Sequence, residues 1–372
     1  MTIILCKLNI IEEGYCLFSW ISNIWIALVM LFVMAWVINQ ASDKLGDVLH
    51  VLGLKLNIPN SVRGATFDAI ASSFPEFSTA MIAVIVYKEF ADVGVPTIAG
   101  SGIFNILLIP MLSIFAYQGT DKLKADRSGV YRDMCFYTIS ILTLVATTYL
   151  GKFTPISGII LICIYAGYII TLYLQTKKYR KNLTLGEQIA ATAELKHELE
   201  EEGEDEDFID MPYSKIFTVI AISIGLLWIS CDAIVQSAIV ISNTFNIPTV
   251  LVSVIILAAC TSIPDTLLSV KSARLGDADG AVSNAVGSNI FDICICLGFP
   301  MIIAGKEIPV SFGENIIIFG FLLLSMLTTA GLLLKKDGVS KKDASIMAIV
   351  YGLFILYVVG VSIGLIPLNF LA

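Results

Sequence analysis

Displaced by 189 positions, the sequence falls on itself: Asn57-Ile58-Pro59 meets Asn246-Ile247-Pro248, Ala69 meets Ala258, Ser73 meets Ser262, Pro75 meets Pro264 and Glu76 meets Asp265. A displacement of 187 continues the match, with Gly100-Ser101 on Gly287-Ser288, Ile103-Phe104 on Ile290-Phe291, Asn105 on Asp292 and Ile106 on Ile293. Each copy holds five apolar runs of the length a bilayer core requires, about 20 residues. They centre on 20–38, 61–87, 95–117, 131–150 and 155–174, then on 214–236, 247–270, 283–303, 312–334 and 345–366. Five is odd, so the second copy enters the membrane upside down relative to the first. The sequence therefore predicts an all-α membrane protein of ten transmembrane helices, built as two inverted five-helix repeats.

Composition agrees: 57% of the 372 residues are hydrophobic and 15% charged, far from a soluble domain. Soluble enzymes and nucleic-acid-binding proteins are excluded. Of the 54 charges, 17 lie between Lys177 and Lys215, 11 acidic and 6 basic. The chain divides into a first repeat (1–176), an acidic loop (177–212) and a second repeat (213–372). Assigned to the nearest connection, 19 of the 23 Lys and Arg fall on alternate connections and 4 on the others. The positive-inside rule then puts both termini on the non-cytoplasmic side and residues 177–212 in the cytoplasm. The acidic run 194–207 reads as a solvated linker, with a regulatory calcium-binding segment as the alternative; it lacks the ligand alternation of an EF-hand loop. The first span lacks a small-residue cleavage site and is expected to be a retained helix.

Eight cysteines without C-x-x-C spacing read as small buried hydrophobes. Cys294 and Cys296 point apart on a helix, and Cys6 and Cys16 can pair only on an oxidising side. His50 and His197 fall in polar connections, leaving no zinc or His-dependent nucleophile site.

The best-matching positions of the two copies are polar residues that a membrane helix should avoid. Ser72, Ser73 and Glu76 accompany Pro75; Thr261, Ser262 and Asp265 accompany Pro264. A carboxylate at mid-membrane costs about 2.5 to 3.5 kcal/mol even on lenient insertion scales, which marks it as a functional candidate. Proline lacks an N–H, so Pro75 and Pro264 are expected to kink their helices and free the carbonyls near Ala71 and Cys260. The pairs Ser72/Glu76, Ser101/Asn105, Thr261/Asp265 and Ser288/Asp292 are spaced i, i+4 and line one helix face each. Four helices thus offer hydroxyls, one amide oxygen and the carboxylates of Glu76, Asp265 and Asp292 to one centre between the repeats, at the bilayer midplane. Such an all-oxygen cage, without His or Cys, suits Ca²⁺ or Na⁺ rather than zinc or copper. The competing reading of each Ser or Thr is helix–helix glue, with Gly100, Gly102 and Gly287 permitting close packing; it does not account for three repeat-related carboxylates.

At these residues the sequence resembles the calcium/cation antiporter superfamily, whose two alpha-repeats carry Gly/Ala-x-Ser-x-Pro-Glu/Asp followed by Gly-Ser-x-x-Phe-Asn/Asp. Ser72-Ser-Phe-Pro-Glu76, Asp92 through Asn105, Thr261-Ser-Ile-Pro-Asp265 and Val282 through Asp292 are most similar to the sodium/calcium exchangers, and within them to the potassium-dependent branch, to which the Asp at 292 belongs. The resemblance implies that Glu76 and Asp265 are central ligands, helped by Ser72, Ser73, Thr261 and Ser262. It implies that Ser101, Asn105, Ser288 and Asp292 complete flanking sites, with the carbonyls of Ala69 and Ala258 contributing, and that the first and sixth helices slide as a gate. Three positions depart from the pattern: Gly102 where the second copy has Asn289, bulky Phe74 before Pro75, and Asp68 two turns before Glu76, which can line the ion route or sit near headgroups.

The expected function is antiport of Na⁺ against Ca²⁺ by alternating access, with K⁺ co-transport an open question. The alternatives are exchange of protons against Ca²⁺ or another divalent cation on the same fold, and a cation channel. The protein is expected to be no enzyme: an intramembrane hydrolase lacks its His, or the Gly-x-Gly-Asp setting. No cofactor and no nucleic acid are expected; the partners are Ca²⁺, Na⁺ and the lipid bilayer of a plasma or inner membrane. The short cytoplasmic loop points to a prokaryotic source.

Overall fold

Backbone immersed in lipid must close its own hydrogen bonds, so the apolar runs fold as helices. A computed structural model describes residues 17–56, 66–67, 69–117, 122–124, 126–182, 211–274 and 278–367. The first repeat contributes α1 (Ile24–Lys55), α2 (Ala69–Ile82), α3 (Val95–Ala116), α4 (Arg127–Tyr149) and α5 (Pro155–Asn182). The second contributes α6 (Tyr213–Phe245), α7 in two parts (Thr249–Thr261 and Ile263–Arg274), α8 (Ala278–Phe291, continued by a π turn Asp292–Cys296 and by Gly298–Ala304), α9 (Phe312–Leu333) and α10 (Lys341–Ser362). Among the described residues, eight helices are long and apolar enough to cross a membrane, and the two parts of α7 make a ninth span. The tenth, α4, falls short on hydropathy but closes its hydroxyls internally: Thr138 donates to Met134 O, Ser140 to Phe136 O and Thr148 to Leu144 O.

Several helices differ from their expected lengths. α1 and α6, of 32 and 33 residues, are about 50 Å long at 1.5 Å per residue, well beyond a core of about 30 Å, so they cross at a tilt or project from it. α1 carries His50 on its extension, which corrects the reading of that residue as part of a polar connection. α5 runs to Asn182, past the expected boundary at 176. His197, the acidic run 194–207, Cys6, Cys16 and Asp68 lie outside the described residues.

The packing repeats under exchange of the copies. α3 packs on α9 and α10; correspondingly, α8 packs on α4 and its extension Gly298–Ala304 on α5. α6 packs on α2, and α1 on α7. Connections separated by an even number of spans also meet. Strand β1 (Lys152–Phe153), between α4 and α5, pairs antiparallel with β2 (Ile308–Pro309), between α8 and α9. At the other end, Leu123, before α4, bridges Val339, before α10. Alternate connections therefore share a face, as an odd-numbered inverted duplication demands.

The buried apolar residues separate into two main clusters. One runs through α3, α4, α5, α8, α9 and α10. The other joins α1 and α6 to each other and to α2 and α7 through Leu31, Ile38, Leu45, Leu227, Ile234 and Val252. α1 and α6 thus form a layer laid on α2 and α7, two of the four helices that carry the polar residues.

Gly100 fixes how closely the copies approach. A Cβ at this position would lie 2.1 Å from Val254 O and 2.8 Å from Ala258 Cβ. Gly100→Ala should therefore force backbone apart at a cost of about 3 kcal/mol or more, seen as a lower unfolding temperature of the purified protein. Gly225→Ala, where nothing lies within 4 Å, should leave that temperature unchanged or slightly raised.

Candidate functional site

The site is built where α2, α3, α7 and α8 meet. Pro264 lacks the N–H that would continue the ladder, and α7 breaks at Ser262, its two parts meeting at 46°. α2, by contrast, runs as one unbroken helix through Pro75, so the break is found in only one copy. The other local device is the π turn Asp292–Cys296, closed by Leu297 N–H donating to Asp292 O at 3.2 Å. Its counterpart around Asn105 is ordinary α-helix. Such π turns recur at functional sites.

All twelve expected ligand residues are buried: Ala69, Ser72, Ser73 and Glu76 on α2, Ser101 and Asn105 on α3, Ala258, Thr261, Ser262 and Asp265 on α7, Ser288 and Asp292 at α8. Glu76, Asp265 and Asp292 each bring a carboxylate oxygen within 4.8 Å of the other two. Hydrogen bonds both within and between the repeats orient them. Glu76 Oε1 accepts from Ser262 Oγ at 3.2 Å and from Ser101 Oγ at 3.5 Å. Asp265 Oδ2 accepts from Asn105 Nδ2 at 3.0 Å, and the Ser72 and Ser288 side chains also reach Asp265. Ser101 lies 3.5 Å from Ala258 O and 3.4 Å from Thr261 Oγ1.

These bonds leave oxygens over. Glu76 Oε2, Asp265 Oδ1, Asp292 Oδ2, Asn105 Oδ1 and Ser73 Oγ are buried with no hydrogen-bond partner. Among the described residues no Lys or Arg pairs with the three carboxylates. At an effective dielectric of about 20, two charges at this separation repel by about 3 to 4 kcal/mol. Three such pairs come to about 10 kcal/mol, comparable with the whole stability of a domain. Cations or protons must balance them, and five unused oxygens from four helices form the donor set of a hard cation.

Two departures from the family pattern acquire a physical reason. Gly102 is glycine because a Cβ there would lie 2.8 Å from Leu322 Cδ1 and 3.0 Å from the Tyr137 hydroxyl. The Asn of the second copy reaches into that place instead: Asn289 Nδ2 donates to Gly102 O at 3.0 Å and Tyr137 OH at 3.2 Å. Phe74 is half-buried and packs in the cluster that joins α2 to α1 and α6.

Sequence reasoning missed three groups. The cysteines are not uniformly inert filler: Cys135 and Cys163 are exposed, while the Cys296 thiol lies 3.7 Å from Asp292 Oδ1. This corrects the expectation of a cage without Cys. Asp232 on α6 accepts from Tyr87 OH at 2.9 Å, and Asp43 on α1 interacts with Lys271 of α7. The same displacement of 189 superimposes Asp43 on Asp232, a signal available had the self-comparison been extended into the first span. Tyr137 carried no signal at all.

Asn289→Ala removes the donor to Gly102 O and Tyr137 OH. It should lower stability by about 1 to 3 kcal/mol, measured by thermal unfolding of the purified protein.

Comparison with known proteins places this geometry in context. A family model described as "Sodium/calcium exchanger protein" matches twice, over residues 25–174 and 215–360, once per repeat. The human sodium/potassium/calcium exchanger 5 is 27% identical over 68% of this chain and 65% of its own length. The Escherichia coli inner membrane protein YrbG is 26% identical over 78% and 84%. The chain thus spans just under two thirds of the human relative. Among solved structures, the sodium-calcium exchanger NCX_Mj aligns with 90% of this chain and 99% of its own at TM-score 0.58 and 18% identity. The H⁺/Ca²⁺ exchanger CAX aligns with 97% and 88% at TM-score 0.67 and 16% identity; at these identities the likeness is one of fold.

Proposed function

From the premise that this chain belongs to the sodium/calcium exchanger protein family, we propose that it is a secondary antiporter exchanging Na⁺ for Ca²⁺ by alternating access. The observation that carries the reading is the trio Glu76, Asp265 and Asp292, buried within 4.8 Å of one another with one free oxygen each. The relatives' names add support, since the human one is a sodium/potassium/calcium exchanger.

A cluster of this kind gives exchange by competition. One Ca²⁺ or several Na⁺ neutralise the same carboxylates, so the two cargoes exclude each other. α1 and α6 rest on the site as a separate layer. When the trio is neutralised, the layer can slide over it at low electrostatic cost. With the trio bare, the movement would carry unpaired charge through an apolar surround, which holds the empty carrier back and suppresses leak.

The Lys and Arg distribution supports a cytoplasmic position for the face that carries the Leu123–Val339 bridge and the acidic loop. Both termini then lie on the opposite side of a plasma or inner membrane. Asp68, outside the described residues, keeps both readings, on the ion route or near the cytoplasmic headgroups.

The test is Ca²⁺ uptake into proteoliposomes under an outward Na⁺ gradient, with and without K⁺, against an outward proton gradient. Na⁺-driven uptake is expected, and dependence on K⁺ is read in the same assay. Uptake driven by protons alone would replace Na⁺ as the counter-ion, and flux without any counter-ion would indicate a channel. Glu76→Gln should abolish uptake, by more than about 100-fold, with the elution profile of the purified protein unchanged. Retained Na⁺-driven flux in that variant would overturn the site.

A further inference from the structure

The wall of the cluster is not all oxygen. Cys296 is fully buried, with its Sγ 3.7 Å from Asp292 Oδ1 and 3.7 Å from Ser73 O. Helical spacing accounts for the placement, since residue 296 is i+4 from residue 292 and lies on the same face. Its partner in the first copy, displaced by 187, is Ile109, which is buried and offers no donor. The remaining described thiols lie elsewhere. Cys294 is 3.1 Å from Ser140 Oγ on α4. Cys231, on α6, donates to Pro75 O at 3.4 Å.

Two ligands of one ion, each bonded at about 2.3 to 2.5 Å, stand about 3 to 4 Å apart. The Cys296–Asp292 separation falls in that interval. The cluster also holds free, buried oxygens on Asp292, Glu76 and Asp265 that require a cation. Ca²⁺ and Na⁺ are hard ions and use the oxygens alone, whereas a thiophilic divalent ion gains from sulfur.

Resting on the exchanger reading above, we infer that Cys296 makes this site a mixed oxygen–sulfur trap for thiophilic divalent cations. Cd²⁺ would compete with Ca²⁺ by binding Cys296 together with Asp292. On binding, the S–H bond breaks, a sulfur lone pair forms the bond to Cd²⁺ and the proton passes to water, with no change in oxidation state. The second copy's wall thereby selects among divalent ions in a way the first copy's wall cannot.

The test titrates Cd²⁺ into the purified full chain in lipid nanodiscs, following the sulfur-to-cadmium charge-transfer absorbance and the displacement of bound radioactive Ca²⁺. In the unsubstituted protein the band should grow with Ca²⁺ release and be reversed by excess Ca²⁺. Cys296→Ser should abolish the Ca²⁺-reversible band and raise the Cd²⁺ concentration needed to displace Ca²⁺ by at least about tenfold. Cys296→Ala serves the same comparison if the serine variant does not fold. Cys294→Ser and Cys231→Ser should leave both readouts unchanged. A band insensitive to Ca²⁺, one that persists without Cys296, or one that follows Cys231 overturns the inference. Asp265→Asn separates the two levels. Ca²⁺ binding retained in that variant overturns the exchanger site and this inference with it, whereas carboxylate-dependent Ca²⁺ binding beside a Cys296-independent band overturns the thiol assignment alone.

Discussion

Repulsion among Glu76, Asp265 and Asp292 is the constraint on which the rest of the structure depends. Three carboxylates within 4.8 Å of one another, all buried, call for positive charge from a bound cation or proton, because among the described residues no basic side chain pairs with them. The surrounding architecture supplies them with donors instead. Ser262 and Ser101 hold Glu76, and Asn105 holds Asp265. Each of these bonds occupies one oxygen and leaves another free. The break in α7 and the π turn of α8 are the backbone's part in the same arrangement, and Gly100 brings α3 within reach of α7.

Inversion of the two copies explains why the site lies between them. Each repeat alone places its Pro-acid motif and its Gly-Ser motif on two helices. Contacts such as Asn105 to Asp265 and Ser262 to Glu76 then form only when the second copy is turned over and set against the first. The copies are related but unequal. Asn105 corresponds to Asp292 and Ile109 to Cys296, and Gly102 accepts from Asn289 through its carbonyl. Charge and sulfur therefore accumulate on the second copy's side. The site is a symmetric frame with an asymmetric lining, and ion preference is set by the lining.

Much of this was legible in the sequence, because membrane helices obey a short list of rules. Length and hydropathy placed ten spans. The self-match fixed the duplication and picked out the buried oxygens from Ser72 to Asp292. Less could be read of anything that depended on exact helical phase or on unrelated partners. Pro75 and Pro264 look alike in sequence, yet only α7 is broken at its proline region, since packing decides whether a missing hydrogen bond becomes a break. Cys296 read as a small hydrophobe, although its i, i+4 spacing from Asp292 already set the two on one helix face. The role of Tyr137 depends on Leu322 and Asn289, residues distant in sequence with no repeat signal to connect them.

The central claim is that one carboxylate cluster holds either Ca²⁺ or several Na⁺. Calorimetric titration of the purified protein with Ca²⁺ at a series of Na⁺ concentrations, with choline holding ionic strength constant, tests it directly. The account predicts that the apparent Kd for Ca²⁺ rises with more than the first power of the Na⁺ concentration, because several Na⁺ must leave for one Ca²⁺ to enter. A Kd independent of Na⁺ would contradict it.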